Sequence, residues 1–141
     1  MEIRPYRHED EAAVIALWDR CGLLRPWNDP KKDIQRKLND SPDLFLVGTI
    51  DGGIVATVMA GYDGHRGWIN YLGVCPDHQR QGLGRQIMQA AEQRLRDCGV
   101  PKINLQVRAG NQQVIDFYRS IGFQMDEVVS LGKRLESDTA Q

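Results

Sequence analysis

An α+β fold, with a mixed, mostly antiparallel central sheet and helices on both faces, is predicted by three observations. Apolar residues recur at helical spacing in four segments. Three consecutive strand-like runs are joined by short glycine-containing turns, and a further strand signal separates the last two helices. The first strand is read at 2–6. A helix over 10–21 follows, because Val14, Ile15, Leu17, Trp18 and Cys21 form one stripe and Gly22 supplies a stop. After the loop Leu23-Leu24-Arg25-Pro26-Trp27-Asn28, Asp29 is the expected N-cap of a second helix with Pro30 at its first position, carried by Ile34 and Leu38 to Asn39. Strands over 44–50, 54–62 and 68–74 make a meander through turns at 51–53 and 63–67. A third helix bears Ile87, Met88, Ala91 and Leu95, a fifth strand spans 102–107, a fourth helix spans 111–121 before Gly122, and 123–135 is read as one or two closing strands.

With 141 residues the chain is expected to form one domain spanning 1–141. A net charge of −1 and a pI near 6.3 supply no broad basic field, which argues against nucleic acid as a partner. Cys21, Cys75 and Cys98 are an odd number without a Cys-x-x-Cys pair, and His8, His65 and His78 show no ligand spacing, so neither a disulfide framework nor a metal site is expected. The absence of a membrane-length apolar run and of a signal-peptide core gives a cytoplasmic expectation with no membrane partner.

The segment from Val74 to Arg85 reads Val-Cys-Pro-Asp-His-Gln-Arg-Gln-Gly-Leu-Gly-Arg and joins a strand to a helix. The first N–H groups of a helix have no internal acceptor and carry the positive end of its dipole, so such a junction can hold an anion. Gln79, Arg80, Gln81 and Arg85 add donors around Gly82, Leu83 and Gly84. A dinucleotide fingerprint would need a third glycine where Ile87 stands, and a Walker loop would need Gly-Lys-Ser/Thr. The pattern present is Gln/Arg-x-x-Gly-x-Gly/Ala, carried by Gln79, Gly82 and Gly84.

That pattern resembles the pyrophosphate-binding signature of the GCN5-related N-acetyltransferases, the GNAT family. A second segment, Asn111 followed by Phe117-Tyr118-Arg119-Ser120-Ile121-Gly122-Phe123, is similar to the family's Asn…Phe-Tyr-x-x-x-Gly-Phe stretch. The predicted element order matches the family's, and further segments, among them Leu131-Gly132-Lys133-Arg134-Leu135, are similar to its bacterial YpeA-like branch. The resemblance implies a GNAT-like fold and an enzyme that moves the acetyl group of acetyl-CoA directly to a primary amine. The resemblance names no acceptor; the expected partner is the amine of a small molecule or a peptide. A coenzyme A-binding sensor with little turnover is the alternative.

The resemblance also assigns residues. Backbone groups of Leu72, Gly73 and Val74 are expected to pair with the pantetheine arm, though an isolated strand glycine equally marks a bulge or close packing. Asn111 corresponds to a pantetheine-contacting asparagine, and on chemistry alone it is a helix N-cap. Tyr118 corresponds to the tyrosine that donates to the coenzyme A sulfur; its spacing with Val114, Phe117 and Ile121 also suits a buried helix face. The fourth strand, Trp68 to Val74, has no carboxylate to act as base, leaving Asp63, His65 and Glu127 as candidates from elsewhere. For the acceptor, Trp27 offers an amphipathic wall, Arg25 a carboxylate partner, and Tyr71 or Asn70 a floor. Cys75 lies in no motif that argues for an acetyl-enzyme. A homodimer suits the fold without being required by any apolar stripe.

Overall fold

The structure, a computed structural model, describes residues 1–139. Five strands form one sheet in chain order: β1 (Glu2–Pro5), β2 (Phe45–Ile50), β3 (Gly53–Tyr62), β4 (Gly67–Val74) and β5 (Ile103–Leu105). The first four run antiparallel to their neighbours, and β5 joins β4 in parallel. Helices α1 (Glu11–Arg20) and α2 (Pro30–Asp40) cover one face; α3 (Leu83–Asp97) and α4 (Gln112–Ser120) cover the other.

Burial on both faces explains why β2 and β3 read as continuous apolar runs. Side chains alternate across a strand. Leu46, Ala56, Val58 and Ala60 therefore pack with Ile87, Met88, Ala91 and Leu95 of α3, while Phe45, Val47 and Met59 pack with Val14, Trp18 and Ile34 of α1 and α2. Helix α2 starts as expected: the Asp29 carboxylate accepts from the Lys31 N–H at 2.9 Å, and Pro30 occupies the first turn, where a missing donor costs nothing.

The expectation of closing strands over 123–135 is corrected. Among the described residues no strand follows β5, and Met125, Val128, Val129, Leu131 and Leu135 are 69–91% exposed. The physical reason lies in the neighbour. Only Ile103–Leu105 of β5 is paired, and so short a strand gives a sixth strand little ladder to extend. The segment is tied to the β5 region through side chains instead, with Lys102 Nζ donating to Asp126 at 2.8 Å and Gln106 Nε2 donating to Ser130 Oγ. It then returns to the opposite face, where buried Asp138 pairs with Arg36 of α2 at 2.6 Å.

Asp63 organises the β3–β4 turn. Its carboxylate accepts from the backbone N–H groups of His65 (2.8 Å) and Arg66 (2.7 Å) and from Trp68 Nε1 (2.9 Å). These donors pull its carboxyl down to about 2, the Arg66 N–H contributing most. A carboxyl depressed by folding stabilises the native state above its unfolded pKa near 3.8, and that stabilisation is lost as pH falls toward 2. We expect Asp63→Asn to be less stable than the parent at pH 6 and to show a shallower loss of stability between about pH 4 and pH 2. Urea unfolding across that range is the measurement, and parallel pH profiles would remove Asp63 from the account.

Candidate active site

Strand β4 holds one residue more than β3 can pair with. Thr57 lies opposite Gly73, yet Met59 lies opposite Asn70, so two steps along β3 face three along β4. The surplus is taken up at Tyr71, whose φ of 51° is in the left-handed region. For a residue with a Cβ that conformation costs on the order of 1–2 kcal/mol, so other contacts must hold it. Three do. The buried Thr57 hydroxyl donates to the Tyr71 carbonyl at 2.9 Å and accepts from Trp18 Nε1 at 3.0 Å. The Tyr71 ring stacks on Trp18 with centroids 3.9 Å apart, and its hydroxyl donates to Asp33 Oδ2 of α2 at 2.6 Å.

Beyond the bulge the sheet opens. The β4–β5 ladder ends at Ile69 opposite Leu105, so 70–74 has no paired strand on that side among the described residues. Leu72, Gly73 and Val74 lie along this open edge. Side chains reach the Val74 carbonyl, with Cys21 Sγ and Gln79 Nε2 each at 3.3 Å. A Cβ at Gly73 would lie 3.1 Å from Leu23 Cδ1 and 3.2 Å from Cys21 Sγ, so this glycine lets the loop after α1 press onto β4. The bulge itself sits at Tyr71, two residues earlier.

The start of α3 faces the same end of β4. Its first helical hydrogen bond at this end runs from the Gln86 N–H to the Gly82 carbonyl, leaving the N–H groups of Leu83, Gly84 and Arg85 without acceptors inside the helix. Gly82 has φ of 77° with open space where a Cβ would stand, so its role is conformational. Gly84 differs. A Cβ there would lie 3.1 Å from Phe117 Cζ and 3.7 Å from Val74 Cγ2, so its missing side chain seats α3 against both α4 and β4. Arg80 also takes a left-handed conformation, at φ 65°, and Arg80 and Gln81 are exposed on the rim. Arg85 turns away from the junction to donate to the Ser120 carbonyl at 3.2 Å.

Tyr118 lies on the buried face of α4, edge-on to Phe117 (5.3 Å) and Phe123 (5.4 Å). Burial alone pushes its phenol up to about 12. Full proton transfer from such a phenol to a thiolate of pKa about 8.5 is uphill by roughly 5 kcal/mol, so this group suits hydrogen-bond donation. Asn111 occupies the N-cap position of α4, and its side chain caps nothing there.

On the α1–α2 face, Trp27 reaches across to Arg108, whose guanidinium stands 5.1 Å above its ring. Arg108 follows β5 closely and Trp27 belongs to the loop pressed onto Gly73, so the pair bridges the two lips of the opening. Arg25 donates to the carbonyls of Gly22 (2.8 Å) and Leu24 (2.9 Å) in its own loop. Asp63 and His65 occupy the turn at the paired end of β4, and Glu127 is exposed on the C-terminal segment. Sequence reasoning missed Thr57, Asp33 and Arg108, and also Asn104, whose Oδ1 is buried without a hydrogen-bond partner among the described residues. The contacts of Thr57, Asp33 and Arg108 join distant segments, and no local spacing carried them. Among the described residues no group of three or more His, Cys, Asp or Glu side chains can hold a metal.

Three comparisons bear on this geometry. The model of the Acetyltransferase (GNAT) family matches residues 9–123. The chain is 52% identical over 139 residues to "Acetyltransferase SG1711" of Sodalis glossinidius, covering 98% of each. Among solved structures it is similar to the ribosomal-protein-S18-alanine N-acetyltransferase from Escherichia coli, at a TM-score of 0.72 and 25% identity over 87% of this chain and 77% of that one. It also shares the fold of AAC(6')-Iy in complex with the bisubstrate analog CoA-S-monomethyl-acetylneamine, at a TM-score of 0.76 and 16% identity over 94% of this chain and 97% of that one.

An open helix start beside an unpaired strand edge has a ligand consequence. Acetyl-CoA at about one hundred times its Kd should add about 2.7 kcal/mol to stability and raise the unfolding midpoint by roughly 5–10 °C. NAD and ATP at equal concentration should leave the midpoint within about a degree. Differential scanning fluorimetry decides this, and an equal rise with NAD would dismiss the edge as a pantetheine site.

Proposed function

The chain belongs to the GNAT acetyltransferase family, and from that premise we propose that it transfers the acetyl group of acetyl-CoA directly to a primary amine entering from the α1–α2 face. The observation that carries this reading is the pairing of two features at one end of β4, the unpaired edge after Ile69 and the three open N–H groups of α3. The edge suits the amides of a pantetheine arm laid along Leu72, Gly73 and Val74 like a further strand. The helix start suits a pyrophosphate on the N–H groups of Leu83, Gly84 and Arg85, with Gln79, Arg80 and Gln81 on its rim and the turn at Gly82 setting the approach. Asn111, with its side chain uncommitted at the head of α4, is assigned to the arm as well.

In the transfer, the lone pair of the neutral amine forms the new bond to the thioester carbonyl carbon, and the carbon–sulfur bond breaks. The electron pair leaves on sulfur. Tyr118 is assigned the donation of its O–H to that developing thiolate, the role its raised pKa favours over complete proton loss. The ammonium proton departs to water, since no carboxylate stands on β4 and Asp63 is held too acidic to compete for it.

Acceptor selection is assigned to Trp27, with Arg25 bracing its loop and Tyr71 shaping the floor from β4. Arg108 over Trp27 and Arg134 on Asn28 (2.9 Å) make this mouth basic. A basic rim favours an amine that carries a carboxylate over a polycation. Two outcomes are expected. Tyr118→Phe should lower kcat more than about tenfold while KM for acetyl-CoA changes little, read by thiol release with the best amine of a screen; an unchanged kcat would remove Tyr118 from the chemistry. In that screen amino acids and peptide N-termini should outpace aminoglycosides, and the reverse order would move the acceptor away from the Arg108 rim.

A further inference from the structure

One line of contacts runs from the C-terminal segment to the bulge. Asp138, whose side chain is 2% exposed, accepts from Arg36 Nη2 at 2.6 Å and Nη1 at 3.1 Å, and from the backbone N–H of Asp29 at 3.0 Å. Arg36 Nη1 also donates to Asp33 Oδ1 at 3.0 Å. The other oxygen of that carboxylate accepts from the Tyr71 hydroxyl at 2.6 Å. Tyr71 is the left-handed residue of β4, and its carbonyl is held by Thr57, which is held in turn by Trp18. Every step is a hydrogen bond, and five of the six residues, all but Trp18, carry at least two of them.

We infer that Asp138 is a positioning residue of the transferase site: its carboxylate locks Arg36, Arg36 orients Asp33, and Asp33 holds Tyr71 in the strained conformation that frees Leu72, Gly73 and Val74 from β5. The inference rests on the reading of that edge as the coenzyme A site. The geometry supports a role beyond anchoring the chain end. Arg36 is shared between Asp138 and Asp33, the carboxylate that accepts from the Tyr71 hydroxyl at the bulge. Asp33 without Arg36 would be an anion free to swing toward solvent, and Tyr71 would lose a fixed acceptor. Relaxation of Tyr71 toward extended geometry removes the surplus residue from the ladder and shifts the register of Leu72 to Val74, the residues read as pairing with pantetheine.

The proposal separates coenzyme A affinity from simple stability. Dissociation constants for coenzyme A are measured by titration calorimetry on the parent chain, Asp138→Asn, Tyr71→Phe and the double variant, with unfolding midpoints recorded alongside. The amide exchange of Leu72 and Gly73 is followed by NMR. Parent binding comes first, since a parent that fails to bind coenzyme A removes the site reading itself. Given binding, each single variant should weaken it about three- to tenfold, and the double variant should be no weaker than the worse single, because both break one chain. Leu72 and Gly73 amides should exchange faster in Asp138→Asn. Tyr71→Phe keeps the Trp18 stack and the Thr57 bond, so it tests the chain even if Asp138→Asn folds poorly. A lowered midpoint with unchanged affinity in both single variants, or losses that multiply in the double variant, would reduce Asp138 to an anchor.

Discussion

The surplus residue in β4 is the constraint on which the rest of the site depends. An antiparallel neighbour fixes every residue of a strand to one face and one register, so a single extra residue must either break the ladder or be forced into unusual geometry. Here β3 continues past the defect and pairs again at Thr57 and Ala56, which confines the strain to Tyr71. On its other side β4 has only the short β5 for company. The two strands part after Ile69 because nothing holds them together once the bulge has turned the chain.

The α1–α2 face is built around this defect. Trp18 stacks on the Tyr71 ring, bonds the hydroxyl that holds its carbonyl, and packs with Phe45 in the same apolar cluster as Val14 and Ile34. The strain at one residue is thereby met by the core as a whole. Gly73 adds a second local solution, since a bare backbone at that position admits Leu23 and Cys21 and draws the loop carrying Trp27 over the opening. The mouth, the floor and the edge are consequences of two neighbouring stretches of β4.

The helices and the meander were legible because their signals are local. Asp29 and Pro30 announce α2, and the stripe of Ile87, Met88, Ala91 and Leu95 announces α3, through chemistry confined to a few turns. The junction from β4 to α3 was legible for the same reason, although its two glycines proved to do different things: Gly82 turns the chain, and Gly84 makes room for Phe117. What was not legible depends on partners far along the chain. Thr57 bonds a carbonyl 14 residues away, Asp33 a hydroxyl 38 away, and Arg36 a carboxylate 102 away. The misread closing strands are the complementary case. Residues 123–135 have apolar content suited to a strand, but pairing is decided by the neighbour, and β5 offers three residues.

The contact between Gly84 and Phe117 has one more implication. Phe117 and Tyr118 are adjacent on α4, and Phe117 is wedged against the first turn of α3. The open N–H end of α3 and the phenol of α4 are therefore carried on two helices that touch where Phe117 meets Gly84. Under the function proposed above, the interval from pyrophosphate to sulfur is a ruler cut to a single length. A thioester on a shorter arm would touch one end of that ruler and miss the other.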